Sequence, residues 1–277
     1  MNTEGVVLHR GCPLAYRLTG DGPPVVFVQG VGVHGDGWRP QTEALSGRHR
    51  CLSFDNRGMG RSVPAAARVS VEQMAEDALA LMDACGWTSA HIVGHSLGGL
   101  AAQHLALVAR ERVRSLALVC TVARGRDATR LSWRMLWTGL RTRCGTRRQR
   151  RRAFLELVLP PGRRSAAELE VIAADLAPLF GHDLADSPAI AMAQLGALRA
   201  YDASPRLHEL AGLPVLVVSA GHDRIAPPGC GRALAAGIPG ARYVEIPDAA
   251  HGVPVHDAPV VNALLASHLA RAEPART

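Results

Sequence analysis

A serine flanked by glycines at a strand-to-helix corner can be turned into a nucleophile, and this chain carries one at Ser96. Residues 90–93 are a short, β-favouring apolar run that stops at Gly94. Leu97, Leu100, Ala101, Leu105 and Val108 then open a helical apolar stripe at once. Gly94-His-Ser-Leu-Gly98 therefore reads as a strand, tight turn and helix, the setting in which a G-x-S-x-G pattern lifts a serine hydroxyl above a sheet. The helix start beneath it adds unpaired N–H groups and a positive dipole end, both of which favour an anion.

A hydroxyl is a weak nucleophile until a base removes its proton, and that base needs a third group to fix its tautomer. Twelve histidines compete for the first role. In open α/β sheets functional groups gather at the carboxyl ends of strands, so the candidates are those in loops directly after a strand. His251 follows the run 244–246 and Asp223 follows 217–219, which gives the chain order Ser96, Asp223, His251. His95 is adjacent to the serine and points away in a tight turn; His222 and His34 are lesser candidates. Asp248 and Asp257 are the rival acids. Acyl transfer also needs donors for an oxyanion, and the backbone N–H groups of Leu97 and of Val31, in the Gly30–Val31 corner, are placed to supply them.

The elements that must position these groups follow from periodicity. Residues 5–9 and 12–18 suggest a hairpin, and 25–28, 50–54, 113–120, 214–219 and 241–246 are short apolar runs bounded by turn chemistry. Helical patterns fall at 70–85, 229–237 and 256–270. Strand and helix alternate over 25–120, which predicts a parallel sheet covered on both faces. The rhythm breaks near residue 122. Helical patterns at 153–159, 166–176 and 189–200, with Leu131, Met135, Leu136 and Leu140 on one stripe, predict a helical cap over residues 124–205, inserted into a core made of 1–123 and 206–277.

Composition narrows the class. A chain of 277 residues, 48% apolar, buries a full core. The start has no secretory leader pattern and no run is long enough for a membrane span, which predicts a cytoplasmic protein. Six scattered cysteines without metal-type spacing read as reduced thiols. The net charge is +7, and all 31 basic residues are arginine, which reads as compositional bias rather than a nucleic-acid surface. Eleven arginines and one acid fall in residues 124–152, read as a solvated helix face. The loop 55–62 reads as structural, braced by an Asp55–Arg57 hydrogen bond.

Four motifs in order, namely the Gly30 loop running to Trp38, Asp55-Asn-Arg-Gly-Met-Gly-Arg-Ser62, Gly94-His-Ser-Leu-Gly98, and Gly221-His222-Asp223 paired with His251, resemble the α/β-hydrolase superfamily over nearly the full chain. Ile238-Pro-Gly-Ala241 and Ala249-Ala-His251 resemble its capped serine esterase, enol-lactonase and cofactor-free haloperoxidase group. The resemblance implies an α/β-hydrolase fold with a mostly parallel sheet flanked by helices. It also implies a Ser96, His251, Asp223 triad that cleaves carboxylic esters of small to medium apolar molecules through an acyl-enzyme, with no metal or organic cofactor. Lactone opening, peracid formation and carbon–carbon bond hydrolysis use the same triad, and a non-catalytic ligand receptor would keep the pocket. Gln29 stands where the family usually has histidine. Gln29, Gly30, Trp38, Trp133 and Trp137 are the expected substrate contacts.

Overall fold

The computed structural model describes residues 2–65, 68–128, 137, 139–162 and 164–273. Its strands are β1 (Asn2–His9), β2 (Cys12–Thr19), β3 (Pro24–Val28), β4 (Arg50–Phe54), β5 (Ala90–His95), β6 (Val113–Val119), β7 (Val215–Ala220) and β8 (Arg242–Ile246). They form one sheet in the order β1-β2-β4-β3-β5-β6-β7-β8. The β1–β2 and β2–β4 pairs are antiparallel, and every other pair is parallel. The chain leaves β3 for β4 on one side and returns to β5 on the other. β3 and β5 thus flank the point where strand order reverses, and loops leaving their carboxyl ends diverge to open a crevice.

Buried strands alternate their side chains between two cores. Val25 and Phe27 enter one and Val26 and Val28 the other, as a pleat with both faces covered requires. Helices α1 (Arg39–Leu45) and α9 (Ala258–Ala272) close the first core with Leu45, Val261, Leu265 and Leu269. Helices α2 (Val71–Ala84), α3 (Leu97–Val108) and α8 (Pro228–Gly237) close the second. The expected strands and helices of this scaffold are all present, with ends shifted by at most three residues, the largest shift being β1, which starts at Asn2. No helix among the described residues is long and apolar enough to cross a membrane.

Between β6 and β7 lie a single turn α4 (Gly125–Ala128) and helices α5 (Arg147–Val158), α6 (Ala166–Phe180) and α7 (Ala191–Ala200). A bridge between Arg124 and Asp202 joins the two ends of this excursion. Helix α5 starts earlier than the expected 153 because Thr146 and Gln149 form a reciprocal capping box that nucleates it within the arginine run. Helix α6 continues past 176 to Phe180 and stops at Gly181. Leu155, Val158, Ala173, Leu176 and Phe180 give these helices a small core of their own. The arginines of the run pair across it: Arg151 bonds Asp183 and Glu170, Arg147 bonds Asp186, and Arg141 and Arg152 share Glu156. Leu131, Met135 and Leu136 lie outside the described residues.

The brace of the 55–62 loop differs from expectation. Arg57 does not pair with Asp55. Its guanidinium, fully buried, makes a two-pronged contact with Asp77 of α2 at 2.8 and 2.6 Å, and Asp77 also meets His9 at 2.8 Å. Asp55 instead accepts the backbone N–H groups of Gly35 and Arg61, fastening the loop after β3 to the loop after β4. A planar fork gains two parallel charge-assisted bonds from the Asp77 carboxylate, while both oxygens of Asp55 are taken by backbone N–H groups.

Removing one partner strands the other charge in the interior. Asp77→Ala is therefore expected to destabilise the fold by about 3–5 kcal/mol, read from urea unfolding. Acid supplies a second test. Burial holds His268 neutral, its pKa pushed down to about 4, and His95 likewise down to about 3. The unfolded chain binds those protons near pH 6.5, so stability is complete above that value and drains away as pH falls toward 4. His268→Leu is expected to flatten the fall in urea midpoint between pH 6.5 and 4; a slope equal to wild type would contradict it.

Candidate active site

The corner at Ser96 is as sharp as the pattern of glycines demands. Ser96 has φ 53° and ψ −120°, a conformation that L residues rarely adopt. A Cβ on Gly94 would collide with the Gly98 carbonyl, and one on Gly98 with the Val28 carbonyl. Glycine at both flanks lets α3 descend directly onto the sheet. The Ser96 N–H is taken by the Val119 carbonyl of β6, and its own carbonyl accepts the Thr121 hydroxyl at 2.7 Å. One backbone bond and one side-chain bond to the end of the neighbouring strand thus hold the strained residue in place.

Two strands over, β7 ends at Ala220 and the next turn presents Asp223. One of its carboxylate oxygens accepts the N–H groups of Ile225 and Ala226, each at 2.8 Å; the other meets His251 Nδ1 at 2.7 Å. Both oxygens are thus committed, and the imidazole is fixed with Nδ1–H toward the acid, leaving Nε2 for a second partner. The rival acids lie elsewhere: Asp248 is exposed, and Asp257 pairs with His256 at 2.7 Å. His95 lines the same cavity as Ser96, and its Nε2 donates to the His251 carbonyl at 2.9 Å. Burial is the main cause that drives its pKa down to about 3, so it is a neutral donor pinning the backbone of His251.

Ser96 and His251 share the wall of one cavity of about 270 Å³ with Gln29, Gly30 and Val31. No hydrogen bond closes between the serine hydroxyl and the imidazole, a contact that in serine hydrolases commonly tightens only around substrate. Gly30 lies against the serine: a Cβ there would stand 3.2 Å from that of Ser96. Its N–H is used by the Gln29 side chain at 2.9 Å. Among the described residues, no protein acceptor takes the N–H of Val31 or of Leu97. The remaining wall is apolar, with Val33, Phe154, Leu157, Phe180, Leu195 and Ile225 prominent, and polar groups at Thr142, Arg143, His182 and Asp186.

Two expected substrate contacts, Trp38 and Trp137, do not line the cavity. Trp38 is fully buried, its ring centroid 5.2 Å from that of Phe27 and edge-on to His95 at 6.3 Å. It is a core residue beneath the site, because the turn Gly35–Trp38 directs it down into the sheet. Trp137 is 63% exposed and faces solvent. Trp133 lies outside the described residues. The walls that sequence reading missed come from α5, α6 and α7, whose inward faces depend on how the helices dock. Cys120, read only as the end of an apolar strand, is fully buried, with φ 47°.

Among the described residues, His95, Cys120 and His251 form the single cluster with metal-ligand potential, their donor atoms within 4.8 Å of one another. One nitrogen of each histidine is already committed to the site itself: His95 Nε2 to a carbonyl, and His251 Nδ1 to Asp223. Burial, followed by the Asp223 charge, pushes the Cys120 thiol well up, which keeps it a neutral S–H rather than a metal-binding thiolate.

Comparisons with known proteins agree with this architecture. A protein of Azorhizobium caulinodans named "Putative carbamate hydrolase RutD" is 32% identical over 261 residues, covering 91% of this chain and 93% of its own. A Mycobacterium tuberculosis protein named "Putative non-heme bromoperoxidase BpoC" is 33% identical over 258 residues, with 86% and 90% covered. The crystal structure of the enol-lactonase from Burkholderia xenovorans LB400 superposes with a TM-score of 0.79 at 28% identity, covering 96% of this chain and all of that one. Residues 23–257 match the alpha/beta hydrolase fold family profile, and this chain, a hydrolase in architecture and kinship, belongs to that family.

Proposed function

We propose that this hydrolase cleaves carboxylic esters of small to medium apolar molecules through an acyl-enzyme on Ser96. The observation that carries the reading is the 2.7 Å contact of His251 Nδ1 with Asp223 beside the cavity that Ser96 lines. In this scheme His251 Nε2 takes the hydroxyl proton as Ser96 Oγ bonds to the carbonyl carbon. Asp223 holds the tautomer and stabilises the imidazolium. The carbonyl electrons move onto oxygen, where the N–H groups of Leu97 and Val31 receive the charge. The tetrahedral centre then expels the alcohol, which leaves with the proton from His251. Water repeats the sequence on the acyl-enzyme to release the acid and restore Ser96.

Residues 124–205 act in this reading as a cap over a core of 1–123 and 206–277, and they supply most of the apolar wall. That wall favours an apolar acyl or alkyl group over a compound as small and polar as a carbamate, the substrate class in one relative's name. Gln29 contributes its backbone carbonyl to Asn56 and its side chain to Gly30 N–H, so its part is to shape the loop beside the carbonyl carbon. Lactone ring opening by the same three residues is the second reading, favoured by the full-length likeness to an enol-lactonase.

Ser96→Ala is expected to lower turnover of p-nitrophenyl butyrate by at least ~10⁴-fold and to abolish fluorophosphonate labelling. Retention of full turnover would refute the assignment. Across a series of p-nitrophenyl esters from two to twelve acyl carbons, Leu157→Trp is expected to shorten the longest chain accepted while leaving acetate turnover within a few-fold of wild type. An unchanged cutoff would remove this cavity as the acyl site.

A further inference from the structure

An oxyanion donor is effective only if it is aimed before the charge appears, because reorienting it during reaction forfeits the gain. The segment that carries Val31 is poorly suited to aiming anything by itself. Residues 29–37 include Gly30, Gly32, Gly35 and Gly37. Gly32 adopts φ +71°, open to glycine at little cost. Its order comes from elsewhere. Gly32 N–H donates to Oε1 of Gln194 at 2.8 Å, and the Gly32 carbonyl faces Nε2 of His182, also at 2.8 Å.

Both holders come from the stretch between β6 and β7. Gln194 is on α7 and fully buried, and His182 follows α6. A carbonyl oxygen can only accept, so His182 donates to the loop in the tautomer that carries its proton on Nε2, the nitrogen with the shorter contact; Nδ1 faces the Asp183 carbonyl at 2.9 Å. The peptide group is a rigid plane. The plane joining residues 31 and 32 is pinned by Gln194, and the one joining 29 and 30 by the Gln29 side chain. The Val31 N–H lies in the one plane between them, so its direction is set by two fixed neighbours. A third tie reaches the base: Gly252 N–H, next to His251, donates to the Val158 carbonyl at the end of α5 at 2.8 Å.

We propose that Gln194 and His182 are positioning residues which, acting through Gly32, aim the Val31 N–H, so that the oxyanion site is complete only while α6 and α7 are seated over the sheet. The proposal rests on the serine-hydrolase reading. On it, the helices that close the pocket also assemble the catalytic electrostatics: lifting them for substrate entry or product exit releases both polar groups of Gly32, and reseating them restores the hole.

The test uses the full chain with p-nitrophenyl butyrate, kcat and KM measured separately, alongside melting temperature. Gln194→Leu and His182→Leu are each expected to lower kcat about 10²-fold, the scale of an ångström of misplacement, with KM within a few-fold of wild type. His182→Gln, which keeps a donor for the carbonyl, is expected to recover most of the loss. The double variant Gln194→Leu/His182→Leu is expected to lose much less than the product of the two single losses, since both act on one residue. Folded variants with wild-type kcat, or with raised KM and intact kcat, overturn the proposal. If Gln194→Leu does not fold, the His182→Leu and His182→Gln pair decides the matter by the same criteria. Ser96→Ala run in parallel separates the two levels: full activity there defeats the hydrolase reading itself, whereas an inactive Ser96→Ala beside an unaffected His182→Leu defeats only this inference.

Discussion

The backbone at Ser96 is the constraint on which the rest depends. A residue at φ 53° costs conformational energy, and it persists because β5 and α3 fix both of its ends and the Val119 carbonyl and Thr121 hydroxyl hold the middle. That single sharp turn brings a side chain, a helix N-terminus and the loop after β3 to one point. Gly30 can approach the serine because it has no side chain, and Gly98 can pass under the Val28 carbonyl for the same reason.

Around that corner, burial sorts the ionisable groups by role. His95 and His251 are neighbours, their ring centroids 4.8 Å apart. Desolvation holds His95 neutral, so it serves as a hydrogen-bond donor to the His251 backbone. His251 lines the cavity with a carboxylate behind it, the arrangement from which an imidazole can both take and return a proton. Two adjacent rings of the same type thus acquire different roles from their surroundings alone.

The stretch between β6 and β7 completes this picture by contributing more than a wall. It reaches the loop after β3 through Gln194 and His182 and the loop after β8 through Val158, while its own arginine pairs hold α5 to α6 and the segment that follows. Each exposed ion pair contributes little by itself, and the joined set fixes helices whose private core is small.

Local chemistry was enough to find the strands, the corner and the groups at strand ends. Gly94, Ser96 and Gly98 announce themselves because the turn admits few residue types, and Asp223 and His251 because strand ends are where a parallel sheet exposes its loops. Residue type is a poor guide to the tryptophans: Trp38 and Trp137 are expected substrate contacts, yet one is buried under the site and the other faces water. Nothing in the sequence around Gln194 or His182 distinguishes them from any helical glutamine or loop histidine, nor shows that Arg57 reaches Asp77 rather than Asp55. Periodicity specifies which face of an element is apolar, so the sequence alone determined the sheet, the corner and the candidate triad. Which polar side chain meets which backbone group across 150 residues depends on how finished elements dock, and only the tertiary structure decided that.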